Sequence, residues 1–308
     1  MQTVSRRRFL TIALCAGAVG TRAAATPGIS QWQSKALGAR VTLSLAHPDA
    51  RGIADRVFAE LRRLERIFSL YLPESPVSIL NKDGQLSAPP FELLDCLGLC
   101  GRIHTASEGR FDPTVQPLWA AYVDRTGHDQ ADQRQINRAK ALVGWDGVKY
   151  NSREIRFDQP GMAITLNVIA QGYIADRLAH LMTRMGLNDV MVDTGELRAI
   201  GGHPDGGDWP VILQSVKGQR IAEVGLRDAA LATSAPTGTF VDAMNQVGHI
   251  LDPTSGLPTR APWRLVSVAG PSAALADGLS TAICLINDHD AINALLSEFS
   301  DMSLMHLS

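Results

Sequence analysis

The order of the periodic segments along the chain is the feature that most restricts its fold. Apolar residues recur at helical spacing in six segments, which predicts helices over 51–68, 91–107, 134–143, 171–185, 272–285 and 288–299. Alternating or short apolar runs predict strands over 38–46, 189–193, 209–214, 221–226, 230–233 and 264–269, and within 148–166 on both sides of Pro160-Gly161. Turn-forming residues predict a loop at 73–76 and a turn at 81–84. Because the strands come in runs rather than alternating with helices, we expect an α+β fold of one compact, two-lobed unit rather than a doubly wound parallel sheet.

The first 25 residues have the composition of an export signal. Ser5-Arg6-Arg7-Arg8-Phe9-Leu10 precedes an apolar run over 11–19 and the small residues Ala23-Ala24-Ala25. A basic start, an apolar run too short to span a bilayer and a small-residue cleavage site are typical of a signal peptide, and the paired arginines indicate the twin-arginine type. We therefore predict that residues 1–25 are removed, that residues 26–308 form one domain and that the mature protein is periplasmic. An amphipathic first helix is the alternative, which the glycines and alanines of this segment fit poorly.

Charge and cysteine content exclude several classes of function. The formal net charge is −2, and no basic patch with interleaved aromatic residues is present, so we expect no nucleic-acid partner. Beyond the predicted signal the chain keeps Cys96, Cys100 and Cys284. Three thiols without a second cluster make neither a zinc site nor a disulfide framework, and we predict buried structural thiols.

A carboxylate and a hydroxyl lie four residues apart in the predicted helix 272–285. Asp277 and Thr281 would project from the same face of that helix. Hard oxygen ligands of this kind suit Mg²⁺, which leaves coordination positions for water or phosphate. The pair alone is weak, because a buried Asp bonded to the backbone and a Thr bonded back to its own helix would give the same pattern.

Several loop segments dense in special residues separate the predicted elements, and loops on a rigid scaffold are where functional residues concentrate. They include F-D-P-T-V-Q-P-L at 111–118, A-T-S at 232–234 and H-I-L-D-P-T-S-G-L-P at 249–258, and A-D-G-L-S-T-A at 276–282 follows within the predicted helix 272–285. In order and spacing these segments resemble the FAD:protein FMN transferases, the ApbE-type family, over nearly all of residues 26–308. The predicted signal and the segment D-T-G-E-L-R-A-I-G at 193–201 are most similar to the exported branch associated with nitrous-oxide reductase maturation.

This resemblance implies a reaction, a cofactor and partners. Members of the family bind FAD and Mg²⁺, break the pyrophosphate and transfer FMN to a Thr or Ser hydroxyl of an exported flavoprotein, with release of AMP. The acceptor of the similar branch would be an electron-transfer protein of nitrous-oxide reduction, which can be membrane-bound. The family fold is the two-lobed α+β flavin-transferase fold.

The resemblance also assigns site residues. Asp277 and Thr281 match the metal-ligand positions, and a main-chain oxygen that is the third ligand maps to Val168. His249 matches the catalytic position, where an imidazole would accept the proton of the incoming hydroxyl; a hydrogen-bonded turn histidine is the alternative. The positions matched to cofactor binding are Leu37, Tyr71, Arg110, Phe111, Asp112, Thr165, Gln171 and Ile250. For Tyr71 and Phe111, packing roles in the core stay open.

The chain departs from the family pattern on one side of this site. The family usually has Asp at the position of Thr165, small residues at Asn167-Val168 and Lys or Glu at Gln171. Its N-x-G-G is replaced by Asp193-Thr194-Gly195-Glu196. These changes suit a branch specialised for one acceptor, and they leave two alternatives open. One is a periplasmic protein that binds or delivers FAD without transfer, and the other is a pyrophosphatase that yields FMN and AMP.

Overall fold

A computed structural model describes residues 16–17, 28–123, 133–242 and 247–308 of the chain. The helices are α1 Ala50–Phe68, α2 Pro76–Asp83, α3 Phe91–Ala106, α4 Gln116–Val123, α5 Gln133–Lys140, α6 Ala170–Arg184, α7 Ala273–Ile283 and α8 His289–Ser297. The strands are β1 Ala16–Gly17, β2 Ser30–Ala36, β3 Ala39–Leu45, β4 Gln85–Ser87, β5 Val148–Tyr150, β6 Glu154–Phe157, β7 Val190–Asp193, β8 Leu197–Ile200, β9 Trp209–Gln214, β10 Arg220–Leu226, β11 Ala230–Ser234, β12 Phe240–Asp242, β13 Val247–Gly248, β14 Val266–Gly270 and β15 Ser303–Leu307. The α+β class is confirmed. The division into a removed signal and one domain over 26–308 stays a prediction, and residues 1–25 lie outside the described residues except for Ala16–Gly17.

A seven-stranded sheet forms the centre of the fold. Its strand order is β15-β14-β11-β8-β7-β3-β2, and every neighbouring pair in it is antiparallel. Helices α6 and α7 pack on one face against β8, β11 and β14, and α1 and α3 pack behind them. A smaller sheet that contains β9 and β10 shares a second apolar cluster with the central sheet, in which Trp209 and Val211 pack with Leu197 and Leu231. The central sheet is therefore covered on both faces.

Helices α6 and α7 are antiparallel neighbours, and each N-terminus is bonded by a carboxylate of the other helix. Asp176 on α6 accepts hydrogen bonds from the backbone of Ala273 at 2.9 Å and Ala274 at 3.0 Å. In return, Asp277 on α7 accepts one from the backbone of Gly172 at 3.3 Å. The first N–H groups of a helix have no partner within the helix and carry partial positive charge, so a carboxylate there stabilises it. The pairing fixes where α7 presents its side chains.

Most predicted elements agree with the structure within two residues at each end, but some expectations were wrong. Residues 81–83 belong to α2, which ends at Gly84 in the left-handed conformation, so the predicted turn is the end of a helix. Between Asp158 and Asn167 no residue lies in a strand. There the Asn81 side chain bonds both the N–H and the carbonyl of Ile164, at 2.7 and 2.8 Å, in the way a neighbouring strand would. The predicted helix 134–143 ends at Lys140.

The sequence patterns also missed β2, β4, β8, α4 and β15. Strand β2 is the edge of the central sheet and alternates between half-buried and exposed residues, with few apolar side chains. Strand β8 has four residues, too few to show a period.

The three cysteines beyond the predicted signal are buried and free, which confirms that they are structural thiols. Within the part of the chain that the structure describes, none of the helices has both the length and the apolar content needed to cross a bilayer.

Gly172 permits the close approach of α6 and α7, and we expect its replacement to be costly. A Cβ atom at this position would lie 2.2 Å from the carbonyl oxygen of Ala273. Gly172→Ala therefore forces the helices apart and lowers the free energy of unfolding by about 1–3 kcal/mol. The matched control is Gly98→Ala in α3, where a Cβ meets nothing within 4 Å and the change raises stability by roughly 0.4–1 kcal/mol. Urea denaturation of both variants measures this, and equal effects would contradict the prediction.

Candidate active site

One cavity brings together all twelve residues that the sequence assigned to the site. They are Leu37, Tyr71, Arg110, Phe111, Asp112, Thr165, Val168, Gln171, His249, Ile250, Asp277 and Thr281. Their roles stay predictions, but their placement in one cavity is a structural fact. The remaining lining residues are Val115, Trp119, Asn167, Glu196, Thr233, Ser234, Ala235, Gly238, Thr239, Leu251 and Leu285.

The tip of the β2–β3 hairpin and Tyr71 form one part of the wall. Leu37 and Gly38 both have positive φ, at 50° and 79°, as a two-residue hairpin turn of type I′ requires. The strained Leu37 is held by a hydrogen bond from its backbone N–H to the Glu65 side chain at 2.9 Å. Tyr71 follows α1 and is 49% exposed, with its ring beside Gly38. An aromatic face at the edge of a cavity is suited to stacking on a planar ring.

The segment after α3 supplies a second wall. Phe111 is almost completely buried and packs near Gly278 on α7, so its core role holds while its edge also lines the cavity. The Asp112 carboxylate accepts from Thr114 N–H at 2.8 Å, from the Thr114 hydroxyl at 2.6 Å and from Trp145 N–H at 3.2 Å. Asp112 thus organises its own loop. The Arg110 guanidinium donates to the Leu285 carbonyl at 3.3 Å.

The loop from Thr165 to Gln171 leads into the N-terminus of α6. Its backbone is joined to the previous wall by a hydrogen bond from Thr165 N–H to the Pro113 carbonyl at 2.8 Å. Val168 precedes α6, and among the described residues no hydrogen bond takes up its carbonyl oxygen. That oxygen is therefore free to bind a ligand, as the mapping to the third metal ligand requires.

Hydroxyl groups surround Thr281 at the base of the cavity. The Ser234 hydroxyl lies 3.2 Å from the Thr281 hydroxyl and 2.8 Å from that of Ser280. The alternative interpretation of the helix pair is thus half right. Asp277 does accept a hydrogen bond from a backbone N–H, that of Gly172. Among the described residues, the Thr281 hydroxyl instead bonds Ser234 on strand β11 and not its own helix.

The Asp277 carboxylate is buried, and hydrogen bonds from the protein compensate little of the cost of burying its charge. Burial raises the pKa of Asp277 to about 7, and the hydrogen bond from Gly172 offsets this only in part. In the described part of the chain, no three His, Cys, Asp or Glu side chains cluster as a metal site. A cation here would depend on one carboxylate, the Thr281 hydroxyl and the Val168 carbonyl, together with ligand phosphates, and this all-oxygen set fits Mg²⁺.

His249 lies across the cavity in a segment between β13 and the Asp252 turn. Its Nδ1 is 3.2 Å from the carbonyl oxygen of Thr239, so the neutral ring donates from Nδ1 and keeps the lone pair on Nε2. Burial lowers the pKa of His249, against the opposing effect of the Thr239 and Pro236 carbonyls. The ring is thus neutral near pH 7 and able to accept a proton. Asp252 accepts from the backbone of Thr254 and Ser255, as a turn cap does.

Comparison with known proteins places this fold and cavity in one family. The model of the ApbE family matches residues 37–305. The chain belongs to the ApbE family. The FAD:protein FMN transferase of Haemophilus influenzae is 24% identical over 254 residues, covering 77% of this chain and 73% of that protein. The FAD:protein FMN transferase of Salmonella typhimurium is 26% identical over 284 residues, covering 87% and 81%.

A solved structure shows the same fold. The flavin transferase ApbE from Vibrio cholerae superposes with a TM-score of 0.78 at 22% identity, over 91% of this chain and 97% of that one.

Three of the eleven lining residues that the sequence did not assign have side chains that could take part in binding or chemistry. Trp119 on α4 follows the F-D-P-T-V-Q-P-L segment by one residue, and its aromatic ring was the available signal. Ser234 ends the A-T-S segment and contacts Thr281. Glu196 stands where the family pattern has glycine, and that departure was its signal.

The raised pKa of Asp277 makes a prediction about stability and pH. Its folded value is about 7, against about 3.9 in an unfolded chain, so the folded state binds more protons between these values. Stability is therefore lost as the pH rises from about 4 to 7. Asp277→Asn, which keeps an oxygen for Gly172, should remove much of this loss in metal-free protein. The measurement is the difference in free energy of unfolding between variant and wild type, which should favour the variant more at pH 8 than at pH 5. An equal difference at both pH values would contradict it.

Proposed function

We propose that this chain transfers FMN from FAD to a hydroxyl of a protein acceptor and releases AMP. The observation that carries the proposal is the single cavity in which a buried Asp277–Thr281 pair, a neutral His249 and aromatic side chains meet. Membership of the ApbE family and the names of the H. influenzae and S. typhimurium relatives support flavin transfer.

The cavity offers each part of FAD a suitable surface. Tyr71 and Trp119 present aromatic faces on which a flavin or adenine ring can stack. Ile250 and Leu251 are buried and add apolar contact. Arg110 is the cation that lines the cavity among the described residues, and its fork of donors suits phosphate oxygens.

We propose that the reaction depends on Mg²⁺, held by Asp277, Thr281 and the Val168 carbonyl. When bound there, the ion would neutralise charge on the pyrophosphate oxygens and on the departing phosphate. Neighbouring residues fix the orientation of two of these ligands. Gly172 orients the Asp277 carboxylate, and Ser234 orients the Thr281 hydroxyl.

We assign the proton transfer to His249. Nε2 accepts the proton of the acceptor hydroxyl as its oxygen forms a bond to the phosphorus of the FMN half of FAD. The bond from that phosphorus to the bridging oxygen breaks, and AMP leaves with the bridging oxygen. The Thr239 carbonyl holds Nδ1–H, so the ring presents Nε2 throughout.

The finer parts of the proposal concern the acceptor. We propose that it is an exported flavoprotein modified on Thr or Ser, and that the chain itself works in the periplasm after loss of residues 1–25. The D-T-G-E-L-R-A-I-G segment supports a place in the branch associated with nitrous-oxide reductase maturation. An electron-transfer protein of that system would then be the acceptor.

The transfer assay separates the possible activities. Residues 26–308 are incubated with FAD, Mg²⁺ and a purified exported flavoprotein domain, with a variant of that domain lacking the acceptor hydroxyl as control. We expect flavin fluorescence and the mass of FMN on the acceptor, with AMP released in equal amount. AMP with free FMN would instead indicate a pyrophosphatase, and bound FAD without AMP would indicate a binding protein; either result overturns the proposal.

The base role of His249 predicts a defined loss and pH dependence. His249→Ala should reduce the rate of transfer by about 10²–10⁴-fold, while the exposed His47→Ala should have no effect. Protonation of Asp277, whose pKa in the metal-free protein is about 7, weakens Mg²⁺ binding, so the rate is measured at saturating Mg²⁺. Because burial lowers the pKa of His249, the wild-type rate should then fall on acidification only below the ordinary imidazole value of about 6.5. An unchanged rate in His249→Ala, or an acidic limb above that value, would remove the assignment.

A further inference from the structure

Besides Asp112 and Asp277, Glu196 is a third buried carboxylate that lines the cavity, and the proposed function gives it no role. It follows a turn in which Gly195 has a φ of 107° and directly precedes β8. Its side chain is 8% exposed and lines the same cavity as Asp277, Thr281 and Val168. A Cβ atom at Gly195 would lie 2.6 Å from the Gln171 side-chain oxygen, so this turn packs directly against the start of α6.

The Glu196 carboxylate is poorly satisfied by protein. One oxygen accepts a hydrogen bond from the Thr233 backbone at 3.3 Å, and within the described residues no donor reaches the other. None of the ion pairs in 28–123, 133–242 and 247–308 involves Glu196 or Asp277. A buried charge without a partner is costly, so this oxygen is available to a ligand of the cavity.

Glu196 and Asp277 line the same cavity, and the charge of Asp277 acts on Glu196. Burial raises the pKa of Glu196 well above its usual value, and the nearby charge of Asp277 raises it further. Two carboxylates in one low-dielectric cavity repel each other unless a proton or a cation is shared between them. A divalent cation balances both charges, and Mg²⁺ and Mn²⁺ are hard ions that accept carboxylate oxygens.

We propose that Glu196 is an additional acidic group for the divalent cation, which it holds together with Asp277, directly or through a bound water. The inference rests on the proposed metal site and extends it. With two carboxylates, the ion is held before FAD arrives rather than only together with its pyrophosphate.

The test is Mn²⁺ binding to the FAD-free protein, measured by calorimetry and by the electron paramagnetic resonance of free Mn²⁺. We expect wild type to bind one ion and Glu196→Gln to bind it about 10–100-fold more weakly. The matched control is Asp193→Asn, a carboxylate in the same turn that accepts from Gly195 N–H and does not line the cavity. Its charge also acts on Glu196, so its affinity should fall far less than that of Glu196→Gln. Asp277→Asn should lose the ion.

Thermal unfolding separates ion binding from a packing role. Without metal, Glu196→Gln should melt at or above the wild-type temperature, because the amide replaces an acid whose ionised form is unfavourable in this buried position. Mn²⁺ should raise the melting temperature of the variant less than that of wild type. A Glu196→Gln affinity equal to wild type, or no Mn²⁺ binding by FAD-free wild type, overturns the inference. Weakened binding in Glu196→Gln with no FMN transfer by wild type supports the ion site and overturns only the proposed function.

Discussion

The reciprocal bonding of α6 and α7 is the interaction on which the rest of the site depends. Asp176 of α6 bonds the N-terminus of α7, and Asp277 of α7 bonds the N-terminus of α6. The exchange requires the helices to be antiparallel and very close, which Gly172 permits. Because α6 begins directly after the Val168 loop and α7 carries Thr281, the same contact that joins two helices also sets the three candidate metal ligands in one place.

The two aspartates differ in how completely the protein satisfies them. Asp176 accepts from two backbone N–H groups and the Ser272 hydroxyl, and its Oδ1 lies 3.4 Å from Arg198 Nε. Asp277 has the single donor Gly172 among the described residues and no cation. The two aspartates thus occupy matching positions in the helix pair, but their charges are balanced to different extents. The satisfied carboxylate serves the fold, and the unsatisfied one faces the cavity with capacity left for a ligand.

Local patterns predicted the helices well, since α1, α3 and α7 show their apolar period directly in the sequence. They failed where a distant contact decides the structure. Strand β2 is mostly polar and exists because β3 pairs with it, while the segment around Ile164 is satisfied by the Asn81 side chain instead of a strand. For the site, the resemblance gathered twelve residues that lie far apart in the chain. It assigned no role to Trp119 or Glu196, although Trp119 directly follows one matched segment and Glu196 lies inside another.

Asp277 has two duties, and this affects how related sequences are interpreted. An ApbE-family chain that had lost its catalytic activity would be more stable near neutral pH with an asparagine here, because the amide oxygen keeps the hydrogen bond from Gly172 without the buried charge. Thr281 bonds only a hydroxyl in the described structure, and an alanine there would cost the helix little. Retention of the aspartate together with the threonine is therefore the sign that a family member keeps the proposed cation site.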